Sequence, residues 1–404
     1  MKFKILILLL SLSLLKFSSP QVSCAEQLRA IVDVHSSYSD GLCAPETIAE
    51  RAKEEGVGAV IFCDSALRRW EYGLWPLRNL LKKKVEESSV LKLGAKNYLE
   101  RIVELADKAP GVITLAGVEA SPFYYWKGLP FSREFSLNDY YKQFIILGLS
   151  AGDYQSLPIV GNRNFSRFNQ YQGDQGIKPY QALIDYVISK GGLIFWSHPE
   201  MNSLQRFQGI EVYSPTHSED LLESYGYTGF GVTFTDRISI TEPGKIWDRL
   251  LNEYREGKRN RPVWIVGTAH HDCSSSRIDR VETVFFENNL DSQGLLTCVK
   301  EGRMYVRFNF GQERIILNEF SVRQNASGVE IVIKGLQPLA EEGSSLKIEL
   351  IKNGKVFREF KESGQEWSVL IEDDTIPEEV QYYRLNVSSN KGLILSNPVF
   401  VKGK

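Results

Sequence analysis

Two residues near the start of the chain have the types and the spacing of metal ligands. Asp33 and His35 lie at the end of a strand-like run, residues 31–34, and a polar loop follows as far as Gly41. Because successive side chains of a strand alternate, residues two apart point to the same side of the backbone. A carboxylate and an imidazole that converge in this way suit a divalent cation. The pattern also fits a strand end that caps the helix expected near Pro45.

Polar residues of these types also follow other strand-like runs. Strand-like and helix-like segments alternate from residue 29 to about 310. This alternation predicts about six or seven parallel βαβ units, and therefore an α/β barrel. Barrels of this kind carry their chemistry at the carboxyl ends of the strands. The chain has only five histidines, so the position of each is informative. We expect the polar residues at the strand ends to converge at one mouth of the barrel: Asp33, His35, Asp64, Glu119, His198 and His271.

The segments divide the chain into a leader and two domains. Residues 26–311 form the predicted barrel, including a long amphipathic helical segment over residues 78–108. In residues 312–404, strand-like runs are separated by turn signals such as Asn353-Gly354. This pattern predicts an all-β, immunoglobulin-like sandwich.

Residues 1–25 have the features of an export signal, with a positively charged start and a short apolar run. Cleavage before Glu26 predicts a secreted or periplasmic protein, whereas Cys24 leaves a lipid anchor open. No later run is apolar for long enough to predict a transmembrane segment in the mature chain. The other four cysteines are widely scattered, and the sequence does not pair them.

The bulk composition is that of a globular protein, with 43% hydrophobic and 24% charged residues. A net charge of -2 gives no broad electrostatic attraction to nucleic acid or to an anionic membrane. We therefore expect no nucleic acid as a partner.

Six short motifs together resemble the PHP (polymerase and histidinol phosphatase) superfamily of metal-dependent phosphoesterases. They are Asp33-x-His35-Ser-x-Tyr-Ser-Asp40-Gly41, Cys63-Asp64-Ser65, Gly117-Val-Glu119, Ser197-His198-Pro199, Ile210-Glu211-Val-Tyr213 and Gly267-x-x-x-His271. The resemblance covers roughly residues 29–310, and the C-terminal sandwich is similar to that of secreted members. It implies a distorted (β/α)7, TIM-like barrel with up to three metal ions at its C-terminal face.

Four positions depart from the pattern of the family. Asp33 and Ser65 stand where the family has histidines, Ile145 replaces another histidine, and Ala269 replaces an aspartate. The metal ligands that the resemblance implies are therefore Asp33, His35, Asp40, Glu119, His198 and His271. These residues suit one or two divalent ions of zinc, manganese or iron, because a third site would have too few ligands. His270 could replace a missing ligand, although neighbouring side chains of a strand diverge.

The resemblance implies an exported metal-dependent hydrolase, in the first place a phosphoesterase, that uses a water activated by the cations. Its substrate would be a small-molecule phosphate or carboxylic ester. His271 would act as a ligand or general acid, and Asp64 would orient a histidine of the site. Arg68, Arg69, Arg163 and Arg167 could bind a phosphate, or could be solvated. The lost ligands leave open a second hypothesis: a degenerate PHP-like domain that binds a ligand without turnover.

Overall fold

The computed structural model describes residues 27–402 except 131, 133, 163–166, 208, 235–237, 275–276 and 338–344. The predicted export signal, Cys24 and Arg163 lie outside the described residues. Within the part that is described, no helix has the length and apolar character needed to cross a bilayer.

The structure contains the following elements in chain order. The strands are β1 (Leu28–Val34), β2 (Ala59–Phe62), β3 (Arg69–Gly73), β4 (Lys82–Glu86), β5 (Ile113–Ala120), β6 (Tyr125–Lys127), β7 (Ser136–Asn138), β8 (Phe144–Leu147), β9 (Leu193–Trp196), β10 (Ser203–Phe207), β11 (Ile210–Ser214), β12 (Gly229–Val232), β13 (Trp264–His271), β14 (Val281–Phe285), β15 (Met304–Asn309), β16 (Ile316–Gln324), β17 (Val329–Leu336), β18 (Leu346–Lys352), β19 (Lys355–Glu362), β20 (Glu366–Asp373), β21 (Gln381–Ser389), β22 (Gly392–Ser396) and β23 (Val399–Val401). The helices are α1 (Pro45–Glu54), α2 (Val90–Leu93), α3 (Ala95–Val103), α4 (Leu105–Lys108), α5 (Ala151–Gln155), α6 (Lys178–Ser189), α7 (Asp220–Glu223), α8 (Ile246–Arg255) and α9 (Ser292–Glu301), with a 3₁₀ turn at Ser239–Thr241.

Seven strands close into a barrel in the order β1, β2, β5, β8, β9, β12 and β13, and β13 pairs again with β1. Alternate side chains of these strands, such as Val32, Ile61, Phe195 and Val266, fill the interior of the barrel. The protein is thus an α/β protein with a closed seven-stranded barrel and further sheets, as the alternating sequence pattern predicts in outline.

Strand β8 departs from the predicted parallel order. It runs antiparallel to both of its neighbours, β5 and β9. The described residues between β5 and β8 form the short strands β6 and β7 and no helix. Ile145 of β8 pairs with Glu119 and Phe195 and is fully buried inside the barrel, where it helps to fill the interior. The direction of β8 could not be read from its apolar run, because periodicity carries no information on strand direction.

The helix predicted over residues 78–108 is present only in its second part. Residues 82–86 form strand β4, which pairs with β3 in a separate antiparallel hairpin. The helical part begins at α2 and continues through α3 and α4. The prediction is therefore wrong for the lysine-rich start of this segment.

The C-terminal strands form two sheets around a second apolar core. Strands β16, β17 and β20 make one sheet, and β22, β21, β18 and β19 continue the barrel sheet through β14 and β15. The core between them includes Leu317, Ile331, Ile348, Trp367 and Leu385. The all-β character predicted after residue 312 agrees with these strands, while the division of the chain at that residue stays a prediction.

A buried ion pair joins the C-terminal strands to the barrel. Arg384 in β21 donates to both carboxylate oxygens of Asp248 in α8, at 2.8 and 2.6 Å, and to the Thr241 carbonyl oxygen at 3.0 Å. The Tyr382 hydroxyl also donates to Asp248, and the Arg384 guanidinium lies over the Trp247 ring. Because both charges are buried, each needs the other as a partner.

We expect Arg384→Met to lower the free energy of unfolding by about 3–5 kcal/mol, since it leaves the Asp248 carboxylate buried without its counter-charge. The exposed Arg358 in β19 provides the control, and Arg358→Met should change stability by no more than about 0.5 kcal/mol. Urea denaturation of the three proteins measures the difference. Equal losses in the two variants would show that the ion pair does not hold the two units together.

Candidate metal centre

The loop that follows β1 is folded tightly around Ser36. The Ser36 carbonyl oxygen accepts hydrogen bonds from the backbone N–H groups of Ser39 and Gly41, both at 3.0 Å. A side chain at Gly41 would meet the His35 carbonyl oxygen at 2.1 Å, so glycine is required there. This turn brings Asp40 back toward His35.

Four side chains from three strands and this loop meet in one cluster. Asp33, His35, Glu119 and His270 each offer a ligand atom, and these atoms all lie within 4.8 Å of one another. His35 Nε2 is 3.4 Å from Asp33 Oδ1 and 3.5 Å from Glu119 Oε2, and His270 Nδ1 is 3.4 Å from Asp33 Oδ2. Ligands bound tetrahedrally at about 2.0–2.1 Å from a zinc ion are roughly 3.3 Å apart. The spacing of His35 Nε2 from Asp33 Oδ1 and from Glu119 Oε2 therefore suits ligands of one metal ion.

Two atoms of the cluster lack the partners that buried polar atoms normally have. Asp33 Oδ1 and His35 Nε2 are buried, and neither has a hydrogen-bond partner among the described residues. Such atoms carry a large desolvation cost unless something binds them. A cation bound by both atoms removes that cost, so the donor set fits a divalent metal.

Asp40 orients the His35 ring. Its Oδ1 atom is 2.9 Å from His35 Nδ1 and also accepts a hydrogen bond from the Ser65 hydroxyl at 3.2 Å. Burial raises the pKa of Asp40, but the His35 hydrogen bond and the charges of His35 and Arg68 outweigh it and hold this pKa well below its usual range. The ionised carboxylate accepts a hydrogen bond from the Nδ1–H group, and in the neutral ring this leaves the lone pair of Nε2 directed at the cluster.

The electrostatics of the cluster are dominated by buried carboxylates. Burial raises the pKa of Asp33, but the neighbouring imidazoles of His198, His270 and His35 outweigh burial and hold this pKa far below its usual value. Burial and the charge of Asp33 raise the pKa of Glu119. The pKa of His35 lies well above its usual value, because its acidic neighbours outweigh burial. The site therefore attracts positive charge, whether a proton or a cation.

His198 lies at the edge of the cluster. Its Nε2 atom is 3.1 Å from Asp33 Oδ2, 3.2 Å from His270 Nδ1 and 3.9 Å from Glu119 Oε1. The structure thus brings together Asp33, His35, Glu119 and His198, as the strand-end pattern predicts. Asp40 joins them through His35.

The structure places His270, and not His271, beside Asp33. Strand β13 carries an extra residue opposite β1, because Val32 pairs with Thr268 whereas Val34 pairs with His271. At this irregularity His270 adopts a left-handed backbone with φ of 43°. His271 is buried outside the cluster, where burial and the charge of Arg51 lower its pKa. From the sequence, His270 is only a possible replacement for a missing ligand, because adjacent side chains of a regular strand point to opposite sides.

Asp64 supports the loop rather than the cluster. Its two oxygens accept hydrogen bonds from the Ser36 N–H at 2.8 Å, the Ser36 hydroxyl at 2.8 Å and the Ser39 hydroxyl at 2.6 Å. Burial raises its pKa, while the hydrogen bonds from Ser39 and Ser36 oppose that rise. Asp64 therefore positions the loop that carries His35 and Asp40, without touching a histidine itself.

Ser197 was not assigned a role from the sequence, although it directly precedes His198. Its hydroxyl donates to Glu119 Oε1 at 2.8 Å. This hydrogen bond leaves the second oxygen, Oε2, facing His35 Nε2. A small hydroxyl residue next to a predicted ligand histidine is the signal that could have indicated this contact.

The backbone of the site is strained at three of these residues. Asp33, His198 and His270 have φ values of 65°, 47° and 43°. A non-glycine residue in the left-handed region costs of order 1–3 kcal/mol, and such residues concentrate at functional sites. The surrounding barrel holds these side chains in directions that regular strands would not give.

A disulfide joins the two loops beside the cluster. Cys43, after β1, is bonded to Cys273, after β13, and the Leu42 N–H donates to the Asp272 carbonyl oxygen at 2.9 Å. The bond spans 230 residues of sequence. It fixes the loop of His35 and Asp40 against the strand end of His270. The other two described cysteines, Cys63 and Cys298, are buried thiols.

Two of the four candidate phosphate-binding arginines, Arg68 and Arg69, pair with groups outside the ligand cluster. Arg68 forms an ion pair with Glu87 at 2.5 Å, and its Nε atom lies 3.9 Å from Asp40. Arg69 donates to the Gly161 carbonyl oxygen and to Glu71. Of these two arginines, Arg68 is the one that lies next to a site residue.

Three solved structures are similar to this one. The first is a two-domain protein from Bacteroides vulgatus that contains a predicted PHP-like metal-dependent phosphoesterase, with a TM-score of 0.39, 14% identity and coverage of 95% of this chain and 98% of that one. The second, described as a metal-dependent phosphoesterase of Bifidobacterium adolescentis, has a TM-score of 0.35, 12% identity and coverage of 67% and 96%. The third is Endonuclease Q in complex with duplex DNA that carries an abasic lesion, with a TM-score of 0.35, 9% identity and coverage of 68% and 57%.

No protein-family model matches the chain, and no curated protein matches it. The similar structures include PHP-like metal-dependent phosphoesterases, the superfamily that the sequence motifs resemble. Since the TM-scores lie below 0.5, we infer the function from the side chains of the site. The expectation that the chain binds no nucleic acid stays a prediction.

We expect His270→Gln to weaken metal binding by at least about tenfold, because it removes one of the four clustered ligand atoms. His271→Gln is the matched control, since it makes the same change at the next residue and leaves the cluster intact. Competition with a chelator measures both affinities. A larger loss in the His271 variant would show that the regular strand register, and not the irregular one, exists in solution.

We expect Asp40→Asn to lower metal affinity by about 10–100-fold, because the ring of His35 loses the carboxylate that fixes its orientation and tautomer. The exposed Asp374 gives a matched control, and Asp374→Asn should leave the affinity unchanged. Isothermal titration with zinc measures the effect. An unaltered affinity in the Asp40 variant would remove Asp40 from the site.

Proposed function

We propose that this protein is an exported metal-dependent hydrolase of the PHP type, and specifically a phosphoesterase. The observation that carries the proposal is the pair of buried atoms, Asp33 Oδ1 and His35 Nε2, which lie 3.4 Å apart without hydrogen-bond partners among the described residues. Glu119 and His270 complete a four-ligand cluster around them.

Asp33, His35, Glu119 and His270 would hold one divalent ion. His198 lies close enough to Glu119 to take part in a second site with it. The set contains carboxylate and imidazole ligands and no thiolate, which suits zinc, manganese or iron. We therefore propose one ion in the four-ligand cluster, with room for a second beside His198.

A bound divalent ion would supply a Lewis acid that lowers the pKa of water and polarises an ester oxygen. The chain itself supplies orientation: Asp40 holds His35, and Ser197 holds Glu119. His270 is half exposed whereas its three cluster partners are buried, so the cluster opens to solvent beside this ring. Arg68 lies near Asp40 and pairs with Glu87, and its guanidinium would bind a phosphate if it exchanged Glu87 for the substrate.

The second candidate is a domain that binds a phosphate or related anion without turnover. Ile145 favours it, because this side chain occupies a position where the family has a ligand and is fully buried among apolar residues. A site with fewer ligands would hold fewer ions, and phosphoryl transfer commonly uses two.

The disulfide that joins the loops of the site supports export. The Cys43–Cys273 disulfide is of a kind that persists in oxidising compartments and is rare in the cytosol. The apolar run and the positive start of residues 1–25 are consistent with such a location.

Elemental analysis of the purified protein should give at least one zinc, manganese or iron ion for each chain. A screen of phosphate mono- and diesters and carboxylic esters should then show turnover that Glu119→Gln lowers by at least about 100-fold, because a ligand contributes more than the residues that merely orient one. The exposed Glu372 gives the control variant, Glu372→Gln, whose activity should match the wild type.

The outcomes separate the two candidates. Bound metal without turnover of any substrate would favour the binding domain. A protein that holds no metal, even after incubation with each ion, would overturn the hydrolase proposal.

A further inference from the structure

A hairpin beside the metal centre exposes an unusual amount of apolar surface. Strands β3 and β4 pair only with each other, and the turn between them comprises residues 74–81. From residue 74 to residue 84, every residue except Arg78 is exposed. Trp75 is 79% exposed and Leu80 is 76% exposed. Five large apolar side chains are exposed in this turn: Leu74, Trp75, Leu77, Leu80 and Leu81.

The base of the hairpin is fixed to the body of the protein. The Glu71 N–H donates to the Tyr124 hydroxyl at 3.1 Å, and the Gly73 N–H donates to the Tyr171 hydroxyl at 2.7 Å. The Trp126 indole N–H donates to the Glu71 carbonyl oxygen at 3.0 Å. The guanidinium of Arg78 lies 4.1 Å from the centre of the Tyr171 ring. The turn is therefore held outward by specific contacts, and its exposure is part of the fold.

The hairpin is basic although the whole chain is slightly acidic. Residues 68–87 contain six basic and three acidic side chains, a net charge of +3, whereas the chain carries -2. Lys82, Lys83 and Lys84 directly follow the apolar turn and are all exposed. An anionic surface would thus attract this part of the molecule in preference to the rest.

A cleft of about 930 Å³ continues from the apolar turn toward the body of the protein. Its apolar lining includes Trp70, Tyr72 and Phe135, and its charged lining consists of the cationic Lys82, Lys83 and Arg206 and the acidic Glu211. Apolar walls beside cationic groups are suited to amphiphilic molecules that carry a negative charge.

We propose that the hairpin turn docks this protein on a lipid bilayer that contains anionic lipids. Trp75 and the leucines would enter the boundary between headgroups and acyl chains, where tryptophan is enriched. Lys82, Lys83 and Lys84 would lie at the level of the lipid phosphates. The charge and the composition of the turn favour a bilayer over a protein partner, because a lysine cluster next to exposed tryptophan and leucine is the pattern of interfacial segments.

Cosedimentation of the full chain with vesicles tests this proposal. The protein should bind vesicles that contain about 30% phosphatidylglycerol in phosphatidylcholine, bind vesicles of phosphatidylcholine alone at least tenfold more weakly, and lose affinity as salt is added. The double variant Trp75→Ser, Leu80→Ser should bind the anionic vesicles at least tenfold more weakly than the wild type. Leu370→Ser, which replaces a leucine that is 64% exposed in β20, should bind as the wild type does.

Three results would overturn the proposal. The wild type could fail to bind either kind of vesicle, or the double variant could bind as well as the wild type. In the third, the wild type associates with itself in the absence of vesicles and the double variant does not. This result would show that the turn forms a contact between two copies of the chain. Circular dichroism of each variant shows that the fold is retained, and metal content, measured in parallel, distinguishes a lost docking surface from a lost metal centre.

Discussion

The candidate site depends on one buried carboxylate and the three imidazoles that surround it. Asp33 contacts His35, His198 and His270, which come from the loop after β1, the end of β9 and the end of β13. A buried negative charge is costly unless positive charge or hydrogen-bond donors compensate it. The histidines serve this purpose as donors when protonated, and a cation would do so with the histidines neutral. The same arrangement thus explains the perturbed pKa values and the fit of the site to a divalent metal.

Residues around the cluster hold its side chains in position, although this position requires a strained backbone at three of them. Asp64 binds the loop of His35 through three hydrogen bonds, and Ser197 fixes the carboxylate of Glu119. The barrel wall then imposes left-handed backbones on Asp33, His198 and His270. Residues outside the four-ligand cluster, such as Asp64 and Ser197, therefore determine the geometry of the side chains that would bind a cation.

The sequence predicted most of the site because strand ends in a barrel converge regardless of the details of each strand. Asp33, His35, Glu119 and His198 were found in this way. His270 was not, because an extra residue in β13 changes which of two adjacent histidines faces the site, and nothing in the local pattern reveals such an irregularity. The antiparallel direction of β8 could not be predicted either, because an apolar run does not indicate strand direction. The lysine-rich segment before α2 has helical composition, but it pairs with β3, and β3 is held in place by hydrogen bonds with Tyr124, Trp126 and Tyr171.

The bond between Cys43 and Cys273 has a practical consequence for anyone who prepares this protein. A chain synthesised where glutathione keeps thiols reduced would reach its folded shape with these two loops unlinked. Its histidines would then be less firmly placed, and weak metal binding by such a preparation would reflect the expression host rather than the protein itself. Production through an oxidising secretory route, followed by a count of free thiols, is the sound starting point for biochemical work on this molecule.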